Sequence, residues 1–79
     1  MNHVAKIIEI VGTSDTSIDD AIRGAIDRAA QTIDKLRWFE VTQVRGHIED
    51  QKVDRFQVMM KVGFALHEDE GGGKEGGEG

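Results

Sequence analysis

The chain has 79 residues, no cysteine, and 15 acidic against 10 basic side chains, which gives a formal net charge of -5 at pH 7. This length corresponds to one small domain, and without cysteine neither a disulfide nor a thiolate metal site can stabilise it. The sequence contains neither a basic run nor an apolar stretch of about 18 residues, so we expect a cytoplasmic protein without a nucleic-acid partner or a membrane span.

A strand and an amphipathic helix are predicted first. Residues 4–11 are rich in β-branched side chains, which predicts a strand that ends at the turn signal Gly12. Ser17, with Asp20 three residues later, has a capping-box-like spacing and predicts a helix start near Ser17. The apolar residues that follow at helical spacing are Ile18, Ala21, Ile22, Ala25, Ile26, Ala29 and Ile33. This spacing predicts one amphipathic helix of about 18 residues.

Two long strands follow the helix. Residues 36–48 contain strand-forming side chains without clean alternation, so we predict a bulge near residues 43–46. Such a bulge would turn the same face inward before and after it, with Phe39, Val41, Val44, Gly46 and Ile48 on that face. A polar turn at residues 49–52 leads to residues 55–66, where large apolar residues alternate with smaller or polar ones.

The order of elements predicts an α+β fold, β-α-β-β, with a three-stranded antiparallel sheet packed on one amphipathic helix. One helix cannot cover both faces of strands about twice the usual length. The far side of the sheet, with Trp38, Gln57, Met59 and Ala65, must then be solvated or buried against other chains. We therefore predict self-association of a domain at residues 1–67, followed by a disordered acidic, Gly-rich tail at residues 68–79.

Trp38, the only tryptophan, has two interpretations from the residues alone. Tryptophan is enriched at subunit interfaces, and it is also a stacking platform for a planar ring. Gln57, on the same face, has an amide that donates and accepts hydrogen bonds, which matches the edge of a fused heterocycle. His3, His47 and His67 lie in separate regions without paired spacing, so we predict no metal site.

Several short segments occur in an order and spacing that resemble a known family. They are Val11–Ser14, Thr32 with Ile33, Leu36–Val41, Val44–Gly46, Phe56–Val58 and Val62–Phe64. On these segments, about residues 3 to 67 resemble dodecin, a family of small flavin-binding proteins. The resemblance implies a β-α-β-β subunit assembled as a hollow dodecamer, with flavin bound at the contacts between subunits.

The resemblance also implies roles for individual residues. Trp38 matches the tryptophan that stacks on the isoalloxazine ring, and Gln57 matches the glutamine that hydrogen-bonds its pyrimidine edge. Arg45 matches an arginine of bacterial members that could neutralise the phosphate of FMN, which favours FMN over riboflavin and other unphosphorylated flavins. Gln43 and His47 lie where archaeal members carry carboxylates facing the ribityl chain, and neither is acidic here.

A second ligand is implied by some bacterial relatives, which hold coenzyme A. Basic residues of that site correspond to Lys6 and Arg28, near Thr32, and a further arginine corresponds to Ala65 here. The resemblance implies storage and photoprotection of flavin without turnover, so we predict no enzyme. The alternative is a structural or interaction module that uses the exposed sheet face as a protein-protein interface.

Overall fold

The computed structural model describes residues 4–66, which form one antiparallel sheet and one helix. The elements are β1 (Ala5–Ser14), α1 (Ile18–Ala29), β2 (Leu36–Glu49) and β3 (Lys52–Ala65). The sheet has the order β1-β3-β2, and β3 pairs antiparallel with both neighbours. The predicted α+β class and β-α-β-β order are confirmed. The predicted tail at residues 68–79 and the exact domain end at residue 67 lie outside the described residues.

β1 is longer than predicted, because Gly12 lies inside the strand rather than in a turn that ends it. Gly12 pairs with Val58 on β3 and lies directly beneath α1. A Cβ at Gly12 would collide with the carbonyl oxygen of Ala21 and lie 3.0 Å from the Cβ of Ala25. Glycine is therefore required here by the close approach of helix and strand.

The start of α1 agrees with the prediction. Ser17 is the N-cap, and its Oγ accepts a hydrogen bond from the backbone N–H of Asp20 at 2.9 Å. The carboxylate of Asp20 accepts a hydrogen bond from the Oγ of Ser14 at 2.8 Å. Ser14 Oγ in turn accepts from the backbone N–H of Ser17 at 3.3 Å. The buried end of β1 is thereby tied to the first turn of the helix.

The predicted length of α1 is wrong, because the α-helix ends at Ala29 after 12 residues. Beyond it, the N–H groups of Gln31 and Thr32 donate to the carbonyl groups of Arg28 and Ala29, three residues back, at 3.1 and 3.2 Å. This is the tighter 3₁₀ pattern that often ends a helix. Ile33 is half-buried, and its N–H donates to the carbonyl group of Ala29, four residues back, at 3.0 Å. The apolar spacing therefore continues through a mixed turn that follows the α-helix.

The core lies between α1 and the part of the sheet that this helix covers. Its buried members are Ala21 from the helix and Val58, Met60 and Val62 from β3, each at most 1% exposed. α1 packs against β1 and β3. The helix-facing side of β2 is left open, with Phe39 48% and Val44 47% exposed. One helix thus covers only two strands of the sheet face on which it lies.

β2 and β3 form a hairpin with a tight turn and three shifts of register, of which the middle one lies nearest the predicted bulge. Asp50 and Gln51, between the strands, have φ values of 52° and 67°, the left-handed pair that favours a two-residue hairpin turn. Thr42 is an extra residue in β2, because Val41 pairs with Met60 and Gln43 with Met59. The bulge therefore lies just before the predicted residues 43–46. Phe39, Val41, Val44 and Gly46 pair with the helix-facing residues of β3, so their predicted common face is confirmed.

Candidate functional site

Trp38 lies on the face of the sheet opposite α1, as predicted. It pairs with Gly63, whose neighbours Val62 and Phe64 have the opposite, helix-facing orientation. A Cβ at Gly63 would lie 2.7 Å from the indole Nε1 and closer still to Cε2 and Cζ2 of the same ring. The indole therefore lies across the backbone of the central strand, and Trp38 remains 44% exposed. The side chain is available to a flat ligand or to another chain.

A second group of predicted residues meets further along the same face. Arg45 is paired directly with Gln57, and His47 with Arg55, so the four side chains occupy two successive cross-strand positions. With Gly46 they line an open hollow of about 290 Å³. Three of the predicted site residues, Arg45, His47 and Gln57, are thus brought together by the hairpin. Arg55 is a neighbour that the sequence interpretation did not include.

Gln43 lies between Trp38 and the hollow around Gln57, and it does not line that hollow. It pairs with Met59, two residues from Gln57 and four from Gly63 along β3. It lines a separate hollow of about 360 Å³ with residues of β1 that include Glu9 and Val11. Its place on the far face is therefore intermediate between the tryptophan and the hollow around Gln57.

One chain does not bring Trp38 and Gln57 together. The register partner of Trp38 is Gly63, and residues 57 and 63 are six positions apart on β3. At about 3.4 Å per residue, they are separated by about 20 Å along the sheet. This exceeds what one three-ring flavin system can span, so a single copy cannot stack a flavin on Trp38 and bind its edge through Gln57.

The electrostatics of the hollow depend on Asp54. Its carboxylate shares hydrogen bonds with Arg55 Nη2 and His47 Nδ1, both at 3.2 Å. These two hydrogen bonds hold the pKa of Asp54 below its ordinary value of 3.8, and the bond from Arg55 has the larger effect. Glu49 lies 3.9 Å from His47 Nε2. Within residues 4–66, Arg45 forms no ion pair with a carboxylate.

The residues proposed for coenzyme A are placed near the ends of two elements. Lys6 is on β1, paired with Phe64, and Arg28 is in the last turn of α1. Thr32 follows in the 3₁₀ turn, and all three side chains are exposed. No hydrogen bond or ion pair joins them in the described part of the chain. Coenzyme A binding stays a prediction.

Two further properties of the described residues bear on function. No group of three His, Asp or Glu side chains in this part of the chain is arranged to hold a metal ion. The single described helix is too short and too polar to cross a membrane. His3 and His67 lie outside the described residues, and the absence of a metal site stays a prediction.

Sequence interpretation missed Arg55 and Gly63. Both follow from strand alternation, because Arg55, Gln57 and Gly63 share the odd-numbered face of β3. Their significance depends on which β2 residue lies opposite. The extra residue Thr42 in β2 sets the partner of Gly63, whereas the register shift between His47 and Ile48, where Asp54 is extra in β3, sets the partner of Arg55. The single bulge predicted near residues 43–46 does not include the shift at Asp54, so it leaves these cross-strand partners unassigned.

An open three-stranded sheet, with one helix on one face and an exposed tryptophan on the other, defines a small α+β protein whose far face is suited to a partner or a flat ligand. The family profile described as "Dodecin" matches residues 4–67. The chain belongs to the dodecin family.

Known dodecins agree with this assignment in sequence and in structure. A dodecin from Thermus thermophilus is 44% identical over 68 residues, which cover 86% of this chain and 99% of the relative. The structure of a dodecin from Streptomyces davaonensis matches with a TM-score of 0.81 and 50% identity, covering 86% of this chain and 100% of that one.

A more distant relative is a calcium-binding protein. The calcium dodecin of Mycobacterium tuberculosis has a calcium-binding site and matches with a TM-score of 0.70 and 30% identity, covering 80% of this chain and 90% of that one. Membership of the family therefore supports binding of a small ligand without specifying which one.

Proposed function

We propose that this protein stores and photoprotects flavin, and that it prefers FMN to riboflavin. In this proposal the flavin stacks on Trp38 at contacts between the subunits of a homododecamer. Membership of the dodecin family supports a small-ligand-binding protein that self-associates. The observation that carries the proposal is the position of the Trp38 indole, which lies across Gly63 and remains 44% exposed.

The residues of the far face match the chemistry of FMN. A fused planar ring favours an exposed indole as a stacking partner. The edge of that ring alternates donors and acceptors, which a glutamine amide such as that of Gln57 can satisfy. A phosphate favours a guanidinium, and Arg45 lies directly opposite Gln57 in the sheet. Gln43, on the same face between the two places, is proposed to lie toward the ribityl chain.

The separation of these residues supports binding between copies. Trp38 and Gln57 are about 20 Å apart along the sheet, so the stacking and edge contacts to one ring must come from different subunits. Exposed apolar residues on the helix-facing side of β2, such as Phe39 and Val44, supply surface for the same association. The ligand site would therefore be complete only in the assembled protein.

The proposed photoprotection follows from the electron-rich indole. Bound flavin would supply a light-absorbing ring that accepts an electron when excited. Trp38, in stacking contact, would donate that electron and take it back, so the cycle would have no net reaction. Gln57 holds the orientation, and Arg45 compensates the charge of the phosphate. The protein is proposed to buffer and protect flavin rather than to turn over a substrate.

A fluorescence titration tests this proposal. Wild-type protein should quench the fluorescence of added FMN, and Trp38→Ala should lose most of the quenching and bind FMN at least about tenfold more weakly. Native mass spectrometry of both proteins, with and without FMN, reads subunit and ligand number together. It also shows whether Trp38→Ala still assembles, so that loss of binding is distinguished from loss of the particle.

The opposite result would favour the alternative function. If wild-type protein assembles but leaves FMN and riboflavin fluorescence unchanged and carries no flavin mass, the proposal is wrong. The exposed far face would then be an interface for a partner protein, with Trp38 as its main contact.

A further inference from the structure

The hollow around Gln57 is lined by two arginines in a chain that is acidic overall. Its side chains are those of Arg45, His47, Arg55 and Gln57, and no carboxylate lines it. The whole chain carries a net charge of -5. Arg45 and Arg55 lie on adjacent cross-strand positions, and of the two only Arg55 has a carboxylate, that of Asp54, within ion-pair distance in the described part of the chain. This arrangement is suited to a ligand with negative charge.

Asp54 holds Arg55 in place at the rim of the hollow. Arg55 Nη2 donates to Asp54 Oδ2 at 3.2 Å, and His47 Nδ1 shares a hydrogen bond with the same oxygen at 3.2 Å. Asp54 itself does not line the hollow. A guanidinium has five N–H donors in a fixed fork, so Arg55 can keep this bond and still offer donors to a second anion.

We infer that Arg55, held by Asp54, is a second phosphate-binding residue beside Arg45, and that this hollow makes the protein select flavins with a terminal phosphate. The ligand class is a phosphomonoester on a short chain attached to a ring whose edge is bound by Gln57. Arg45 lies opposite Gln57, and Arg55 precedes Gln57 by two residues on the same strand face. Phosphate oxygens between Arg45 and Arg55 could accept charge-assisted hydrogen bonds from both.

This inference rests on the proposed flavin function and deepens it by naming what sets the choice between flavins. Arg45 alone would provide a single cation. Two guanidinium groups provide directional hydrogen bonds, so the preference for the phosphorylated flavin should depend on the geometry of Arg55 as well as on its charge.

The test measures dissociation constants for FMN and for riboflavin on the full-length, assembled protein at one salt concentration. The variants are Arg55→Gln, which removes the positive charge and the guanidinium N–H donors, and Arg55→Lys, which keeps the charge but not the guanidinium geometry. Lys52→Gln is the matched control, because Lys52 is an exposed cation on the same strand outside the hollow. Native mass spectrometry confirms that each variant assembles.

We expect Arg55→Gln to weaken FMN binding about tenfold while changing riboflavin binding less than about twofold. Arg55→Lys should give an intermediate FMN affinity, and Lys52→Gln should leave the FMN-to-riboflavin ratio unchanged. An unchanged ratio in Arg55→Gln, or an equal loss for both flavins, overturns this inference and leaves the flavin function standing. Failure of wild-type protein to bind either flavin overturns the proposed function and this inference together.

Discussion

The indole of Trp38 on β2 lies directly across Gly63, its register partner on β3, where any side chain at residue 63 would collide with the ring. The absence of a Cβ at Gly63 therefore determines how closely the indole approaches the sheet. An indole supported by backbone has fewer alternative positions than one on an open surface. Gly63 is a positioning residue for Trp38, and its effect on a ligand would be exerted through the tryptophan.

Gly63→Ala should displace the indole of Trp38. The new methyl group would lie within contact distance of Nε1, Cε2 and Cζ2, so the ring must move away from the sheet. We expect a shift in the tryptophan emission maximum and an FMN affinity lower by up to about tenfold, because an aromatic stack contributes about 0.5–1.5 kcal/mol. Unchanged tryptophan emission and FMN binding would show that Gly63 does not position the ring.

Gly12→Ala and Gly24→Ala form a matched pair with opposite expected effects on stability. At Gly12 the methyl group would collide with the backbone oxygen of Ala21, which cannot move without displacing α1, so we expect a cost of about 3 kcal/mol. At Gly24 a Cβ meets nothing within 4 Å, and alanine in a helix interior should stabilise by about 0.5–1 kcal/mol.

The measurement for this pair is thermal unfolding at one protein concentration, because the stability of an assembled protein depends on concentration. Gly12→Ala should lower Tm by more than about 10 °C, and Gly24→Ala should raise it by a few degrees. A Gly12→Ala variant as stable as wild type would mean that α1 does not pack on β1 as closely as the structure shows.

The fold was largely predictable from sequence because its strongest signals are local. Alternation along β3, with Val58, Met60 and Val62 on one face, and the Ser17 cap both act within a few residues. The length of β1 was not predictable, because Gly12 is also a common turn residue. Its place inside the strand depends on Ala21, which a distant packing contact brings above it.

The candidate site was predictable in its residue types but not in its grouping. Trp38 and Gln57 were correctly placed on the far face by strand alternation alone. That they are about 20 Å apart, and that Arg55 joins Arg45, depends on the register between β2 and β3. The sequence shows that a bulge is needed, but several positions for it satisfy the same alternation.

The pKa of Asp54 should respond to the loss of Arg55. The hydrogen bond from Arg55 is the main cause, and that with His47 the second, of a pKa of Asp54 that lies below 3.8. A lowered folded-state pKa gives a stabilising contribution that is fully present above pH about 4 and is lost as the pH falls through the folded-state value. Arg55→Gln should raise the pKa of Asp54 toward 3.8, which an NMR titration of the side-chain carboxyl measures.

The same linkage predicts how Asp54→Asn behaves. Its stability relative to wild type should be lower at pH 6 and should approach that of wild type once the pH falls below the folded-state pKa of Asp54, where this carboxylate is protonated in both folded and unfolded chains. Because this carboxylate is accessible to solvent, the difference should be small and should shrink at high salt. An Asp54 pKa that does not respond to Arg55→Gln would contradict the hydrogen bond between them.

Phe39 should contribute to assembly, although it lies on the same side of the sheet as the helix. α1 packs on β1 and β3 and leaves Phe39 48% exposed beside Ile22 and Ile26. Burying a phenylalanine contributes about 1.5–3 kcal/mol per copy, so Phe39→Ser should weaken association in every subunit. We expect native mass spectrometry at micromolar concentration to show mainly species smaller than the wild-type particle.

The control for Phe39→Ser is Gln31→Ser, which shortens an exposed polar side chain outside the sheet and should assemble normally. A Phe39→Ser particle of wild-type mass and dissociation temperature would mean that this side of β2 remains open to solvent in the assembly.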